Sequence, residues 1–217
     1  KEFEEALPKH VKLAYLPNYG MVRLRLTATG ANKIQLDQEL DLFFGRLQEL
    51  VKDYLVSNTG ESLEIIVGRI LKSRNQTLAT AESCTGGYIA HLITTIPGSS
   101  QYFKGSVVSY ANEVKENILH VSAATLLHEG AVSEETVRQM VRGALDVMGT
   151  DFAVATSGIM GPDGGTADKP VGTVWVAVGN VNKTVAQKFK FRFDRMRNIE
   201  LTATNALNLL RKFILEH

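Results

Sequence analysis

The segment Thr80-Ala81-Glu82-Ser83-Cys84-Thr85-Gly86-Gly87 lies where a strand gives way to a helix. Small residues there let a ligand approach the backbone, and the free N–H groups of a helix start can hold an anion or an oxyanion. A serine on such a turn presents its oxygen to an electropositive ring of amides. The same residues also suit a helix N-cap and a tight turn with no chemistry at all. A second segment, Ser109-Tyr110-Ala111-Asn112-Glu113-Val114-Lys115, runs from a strand end into a helix. Burial makes a lysine a general base by disfavouring its charged form, and a tyrosine can relay a proton. Alone, Lys115 reads as a solvated surface lysine. Beside Ser83 it becomes half of a Ser/Lys pair, which activates a hydroxyl without histidine.

A third segment, Thr156-Ser157-Gly158-Ile159-Met160-Gly161-Pro162-Asp163-Gly164-Gly165, again follows a buried strand. Glycine-rich loops at strand C-termini line ligand crevices in α/β proteins, although Pro-Asp-Gly-Gly also suits a plain turn. In a fourth, Arg192, Arg195 and Arg197 gather beside Asp194. Arginine fits bidentate phosphate recognition, and a charged helix entry facing solvent explains the cluster equally well. Cys84 is a rival nucleophile because a thiolate needs less activation. The histidines that could serve it, His91, His120 and His128, sit in no suggestive loop. A small buried cysteine behind the turn is the preferred reading.

The elements that must position these residues follow from periodicity. Residues 11–16 and 21–28 alternate as strands around the turn Pro17-Asn18-Tyr19-Gly20, which predicts a hairpin. Residues 34–54 show helical spacing, with Leu36, Leu40, Leu47, Leu50 and Val51 facing inward. The turn-like Ser57-Asn58-Thr59-Gly60 then divides the chain into domains 1–58 and 59–217. In the second domain, helices are predicted at 62–72, 86–96, 113–120, 134–148 and 199–215. Strands are predicted at 77–80, 152–156, 173–178 and 184–193. Ser133 is placed to cap the helix at 134–148. Strands alternating with helices imply an α/β three-layer sandwich with a mostly parallel sheet, mixed because of a hairpin around Asn180-Val181-Asn182.

The chain has 217 residues, 44% of them hydrophobic, enough for one or two domains with a substantial core. Its 24 basic and 23 acidic residues give a net charge of +1, without the basic excess of a protein built to grip nucleic acid. No apolar run approaches the roughly 20 residues that span a bilayer. A single cysteine excludes an internal disulfide framework, and no Cys/His cluster has zinc-ligand spacing. The expectation is a cytoplasmic protein.

The four stretches Ala81–Gly87, Ser109–Lys115, Ser157–Gly165 and Lys169-Pro170-Val171-Gly172-Thr173-Val174-Trp175, in that order, resemble the CinA family. The resemblance covers nearly all of residues 60–217. It implies a C-terminal amidase domain that converts nicotinamide mononucleotide and water to nicotinic acid mononucleotide and ammonia, with no metal and no cofactor. The family's serine, tyrosine and lysine fall on Ser83, Tyr110 and Lys115. Expected substrate contacts are Thr85, Gly86, Gly87, Ser157, Gly158, Gly161 and Arg195, with backbone N–H groups of residues 83–87 holding the oxyanion. The resemblance further implies a homodimer. It also implies a small α+β, KH-like domain over residues 1–58, and a further N-terminal domain of pyrophosphatase type in full-length members. A KH domain that binds RNA clamps it through Gly-x-x-Gly. No glycines are so spaced among residues 1–58, whose eight basic and eight acidic residues cancel, so RNA binding is not expected. The alternative to an amidase is a non-catalytic nucleotide-binding accessory protein of competence or DNA damage.

Overall fold

The computed structural model describes residues 1–18 and 20–217. The chain divides into two compact units, Lys1–Glu61 and Ser62–His217. In the first, a short helix α1 (Glu2–Glu5) precedes strands β1 (Val11–Asn18) and β2 (Met21–Ala28), which pair antiparallel from Val11↔Ala28 to Asn18↔Met21. The predicted turn between them includes Tyr19, which lies outside the described residues. Helix α2 (Lys33–Val51) packs on β2, its start capped by the Asn32 side chain. Phe43 and Leu47, one helical turn apart, are its buried residues, whereas Leu50, expected to face inward, is 64% exposed. The aromatic ring at 43 takes the inward stripe, and Leu50 falls off that face.

The second unit opens with α3 (Leu63–Ser73), followed by β3 (Leu78–Glu82) and α4 (Tyr88–Thr94). A 3₁₀ turn, Ser99–Gln101, leads into β4 (Phe103–Val108), after which come α5 (Asn112–Asn117), α6 (Ala123–His128) and α7 (Glu134–Met148). Strands β5 (Phe152–Gly158), β6 (Thr173–Gly179) and β7 (Thr184–Lys190) and helix α8 (Arg195–Glu216) complete it. The sheet order is β4-β3-β5-β6-β7. Strand β3 pairs parallel with both β4 and β5, while β5–β6 and β6–β7 are antiparallel, so the sheet is mixed in equal parts rather than mostly parallel.

Helices cover both faces, which makes three layers. On one face α7 presents Val137, Met140, Val141, Ala144 and Leu145 to Ala79, Ala81, Ala153, Ala155 and Ala177. Alanines on the sheet let the helix lie close, and the 3–4 spacing on α7 is the stripe its sequence predicts. The opposite face holds Leu78, Phe152, Val154 and Val176, covered by α3, α4 and α8. Phe152 meets Phe213 of α8 edge-on at 6.1 Å. Each such fully buried apolar side chain contributes roughly 1.5–3 kcal/mol. Among the described residues no helix is long and apolar enough to cross a membrane.

Candidate functional site

The loops at the C-terminal ends of β3, β4 and β5 converge, as parallel strands require. After β3 the chain turns through Gly86 and Gly87, with φ of 60° and 94°, conformations that cost any other residue strain. Those two left-handed residues explain why α4 starts at Tyr88 and not at the expected residue 86. The turn is pinned by Glu82, which is fully buried. Its carboxylate accepts from the N–H groups of Gly87, Ile89 and Ala90 at 3.1, 3.0 and 2.8 Å and from the Thr85 hydroxyl at 2.7 Å. A carboxylate at a helix start is held by amides and the helix dipole together.

That anchor decides which amides remain. Gly86 N–H donates to the Ser83 carbonyl, and Gly87 N–H is taken by Glu82. Neither glycine amide is available as an oxyanion donor. Among the described residues, the N–H groups of Cys84 and Thr85 donate to no oxygen. Of these two, only Cys84 lines the cavity described below, so the expected oxyanion hole narrows to its amide. Ser83 N–H extends the sheet by donating to Thr156 O at 3.0 Å, and among the described residues the Ser83 hydroxyl has no hydrogen-bond partner.

Lys115 is almost fully buried, and that burial lowers its pKa from the ordinary lysine value. Its Nζ donates to the carbonyls of Ser109 at 2.7 Å and Tyr110 at 3.4 Å. A neutral amine has two N–H donors and one lone pair. In that neutral form the two carbonyls would take both donors and leave the lone pair to receive a proton. Nζ makes no hydrogen bond to Ser83. Tyr110 is 63% exposed, and its hydroxyl accepts from Arg195 at 3.0 Å. Arg195 also donates to Gly161 O at 2.8 Å, which joins the start of α8 to the third loop.

Ser157 donates to Ala131 O at 2.6 Å. Gly158 is required by space, because a Cβ there would lie 2.7 Å from Val174 and 2.9 Å from Thr173 O. Asn198 is buried beneath this loop and donates to Met160 O and Phe193 O, each at 3.0 Å. Together these loops enclose a cavity of about 280 Å³ that brings together Ser83, Tyr110, Lys115, Ser157, Gly158, Gly161 and Arg195. Thr85, Gly86 and Gly87 do not line it; they build the turn instead. Arg197 pairs with Asp194 at 3.6 Å. Cys84 does reach the cavity wall, and burial pushes its thiol up to about 12, which keeps it protonated and unreactive. Asn112, Asp163 and Val132 also line the cavity but were not singled out as contacts in the sequence. The buried supports Glu82 and Asn198 carry one usable signal: polar residues in otherwise apolar strand and helix stripes.

A larger groove of about 540 Å³ lies beyond residues 132–133, lined by Arg138, Lys169, Trp175 and Lys188. Its charges are already engaged, Arg138 by Glu134 and Lys169 by Glu129 O, so the smaller cavity is the better candidate. Among the described residues no group of three or more His, Cys, Asp or Glu side chains is placed to hold a metal.

Fold and site define a three-layer α/β domain with a serine–lysine cavity at the C-terminal ends of its parallel strands. The chain belongs to the CinA family: the profile described as "CinA C-terminal domain" matches residues 60–214. A "CinA-like protein" of Cytophaga hutchinsonii is 45% identical over 215 residues, 99% of this chain and 51% of that protein. Another, of Amoebophilus asiaticus, is 42% identical over 97% of this chain and 50% of its own length. The chain thus spans about half the length of the curated relatives it matches. Among solved structures, a CinA superfamily protein of Klebsiella pneumoniae superposes with a TM-score of 0.69 at 35% identity, covering 71% of this chain and 97% of that one. The competence/damage-inducible protein CihA of Agrobacterium tumefaciens gives 0.66 at 38% identity, over 71% and 97% of the two chains.

Proposed function

We propose that the chain is a nicotinamide-nucleotide amidase that hydrolyses nicotinamide mononucleotide to nicotinic acid mononucleotide and ammonia. The observation that carries this reading is the unpartnered Ser83 hydroxyl in one small cavity with a buried, pKa-lowered Lys115. Ser83 attacks the carboxamide carbon, and its proton passes to Lys115. The developing oxyanion meets the Cys84 amide, a contribution of roughly 3 kcal/mol. The returned proton lets ammonia leave, and water hydrolyses the acyl-enzyme. Arg195, already aimed at the cavity with Tyr110, is the candidate for the 5′-phosphate. A cavity of about 280 Å³ lies just below the roughly 300–1,000 Å³ range of ligand sites, which suits a small ligand such as a mononucleotide.

Lys115 turns to two carbonyls rather than to Ser83, and this favours a second reading, a nucleotide-binding accessory protein without catalysis. One assay separates them. Ammonia release from nicotinamide mononucleotide by the purified protein, lost in Ser83→Ala at unchanged circular dichroism, supports the amidase. Binding of the nucleotide with no ammonia released supports the accessory role.

A further inference from the structure

The geometry points to Ser109 as the missing link: we propose that its hydroxyl relays the proton between Ser83 and Lys115. The proposal rests on the reading of Ser83 as nucleophile given above. Ser109 is fully buried, and among the described residues its Oγ has no hydrogen-bond partner. An orphaned buried hydroxyl is destabilising, which makes a role outside stability worth seeking.

Its position supplies one. The last paired residues at this end of the sheet are Glu82↔Val108 and Glu82↔Thr156. One residue further on, Ser109, Ser83 and Ser157 fall side by side. The ladder continues through them: Ser109 N–H donates to Glu82 O, and Ser83 N–H to Thr156 O. Side chains alternate along a strand, so the three serines share the face of Ala81, Val107 and Ala155, the face that α7 covers. Adjacent strands lie about 4.8 Å apart, which brings neighbouring hydroxyls within reach of one another through a χ1 rotation. Ser157 is committed to Ala131 O. Ser109 is not, and Lys115 Nζ is anchored on Ser109's own carbonyl at 2.7 Å. Tyr110, the other possible link, is 63% exposed, and its hydroxyl is already engaged by Arg195.

The step balances. As Ser83 Oγ bonds to the carboxamide carbon, its proton moves to Ser109 Oγ, Ser109's own proton moves to Lys115 Nζ, and the carbonyl π pair moves to oxygen. Collapse of the adduct breaks the C–N bond. Lys115 Nζ returns its proton to Ser109 Oγ while Ser109 passes its own directly to the leaving nitrogen, which departs as ammonia. Cys84 and Glu113 are the titratable neighbours that oppose the lowering of Lys115's pKa; both stay unchanged in the variants below.

The test is the rate at which a fluorophosphonate labels Ser83, followed by mass spectrometry, alongside steady-state kinetics with nicotinamide mononucleotide. Ser109→Ala should slow labelling and kcat by about 10²-fold or more while KM stays within about twofold and Tm is unchanged or higher, because an orphan is removed. Ser109→Thr should restore most of the rate. Adding Ser109→Ala to Lys115→Met should slow the enzyme no further, as members of one relay are non-additive. Labelling of Ser109→Ala at the wild-type rate overturns the relay, as does an additive double variant. Labelling reads the activation of Ser83 whatever the substrate. A wild type that labels at Ser83 without releasing ammonia overturns the nucleotide reading and leaves the relay to be judged by the variants. A wild type that never labels at Ser83 overturns the relay.

Discussion

At Lys115 burial outweighs the two neighbours that favour its charge, so its pKa falls. The folded chain then binds fewer protons than the unfolded chain between the ordinary 10.5 and the lowered value. Stability is intact above 10.5, declines as pH drops through that window, and levels off below the folded pKa. The rate should show the complement, rising with pH through the lowered value. A kcat/KM profile of the wild type checks this, and a flat acid limb contradicts it. Cys84, with its thiol at about 12, should resist alkylation by iodoacetamide at pH 8, and Cys84→Ala should keep most of the activity. Arg195→Ala should lose about 10- to 100-fold in kcat/KM on the nucleotide, the worth of one charge-assisted hydrogen bond. On the unphosphorylated riboside it should change little. An unchanged preference for the nucleotide moves the phosphate contact elsewhere.

The turn after β3 is held by one carboxylate with no spare acceptor. Glu82→Gln places an NH₂ against backbone N–H donors whichever way the amide turns, so it should cost about 3 kcal/mol in urea unfolding despite being isosteric. Tolerance of Gln would mean that the anchor is not the carboxylate. Helix α7 could be read from the sequence to its end residues because the Ser133 cap and the apolar stripe agree. Strand β4 was legible only as the run leading into Ser109. Its partly exposed residues give no clean alternation, and it is an edge strand defined by pairing with distant β3. Helix α6 has no buried residue and so no stripe to read. The start of α8 lies four residues before the expected 199 because Asp194 caps it through Arg197 N–H. Within the site, Ser83, Lys115 and Ser157 were legible from residue type and loop position. The roles of Glu82, Ser109 and Asn198 were not. Each depends on which face of an element a polar side chain takes, and that is settled only by packing.

Residues 62–217 form their own unit with their own core and contain every residue that lines the cavity. Deletion of residues 1–61 should therefore leave the fold intact by circular dichroism and spare ammonia release. A folded but inactive truncation would give the smaller unit a part in catalysis. Within the larger unit, one contact spans 85 positions: Arg195, the first residue of α8, reaches the Tyr110 hydroxyl. Contacts this remote in sequence form late, since loop-closure entropy is met before they reward it. Helix α8 follows every other element, so a ribosome must finish it before the cavity can close. Until then the growing chain carries an open serine loop on a half-covered sheet, and the cavity takes its final shape only after synthesis has passed the last strand.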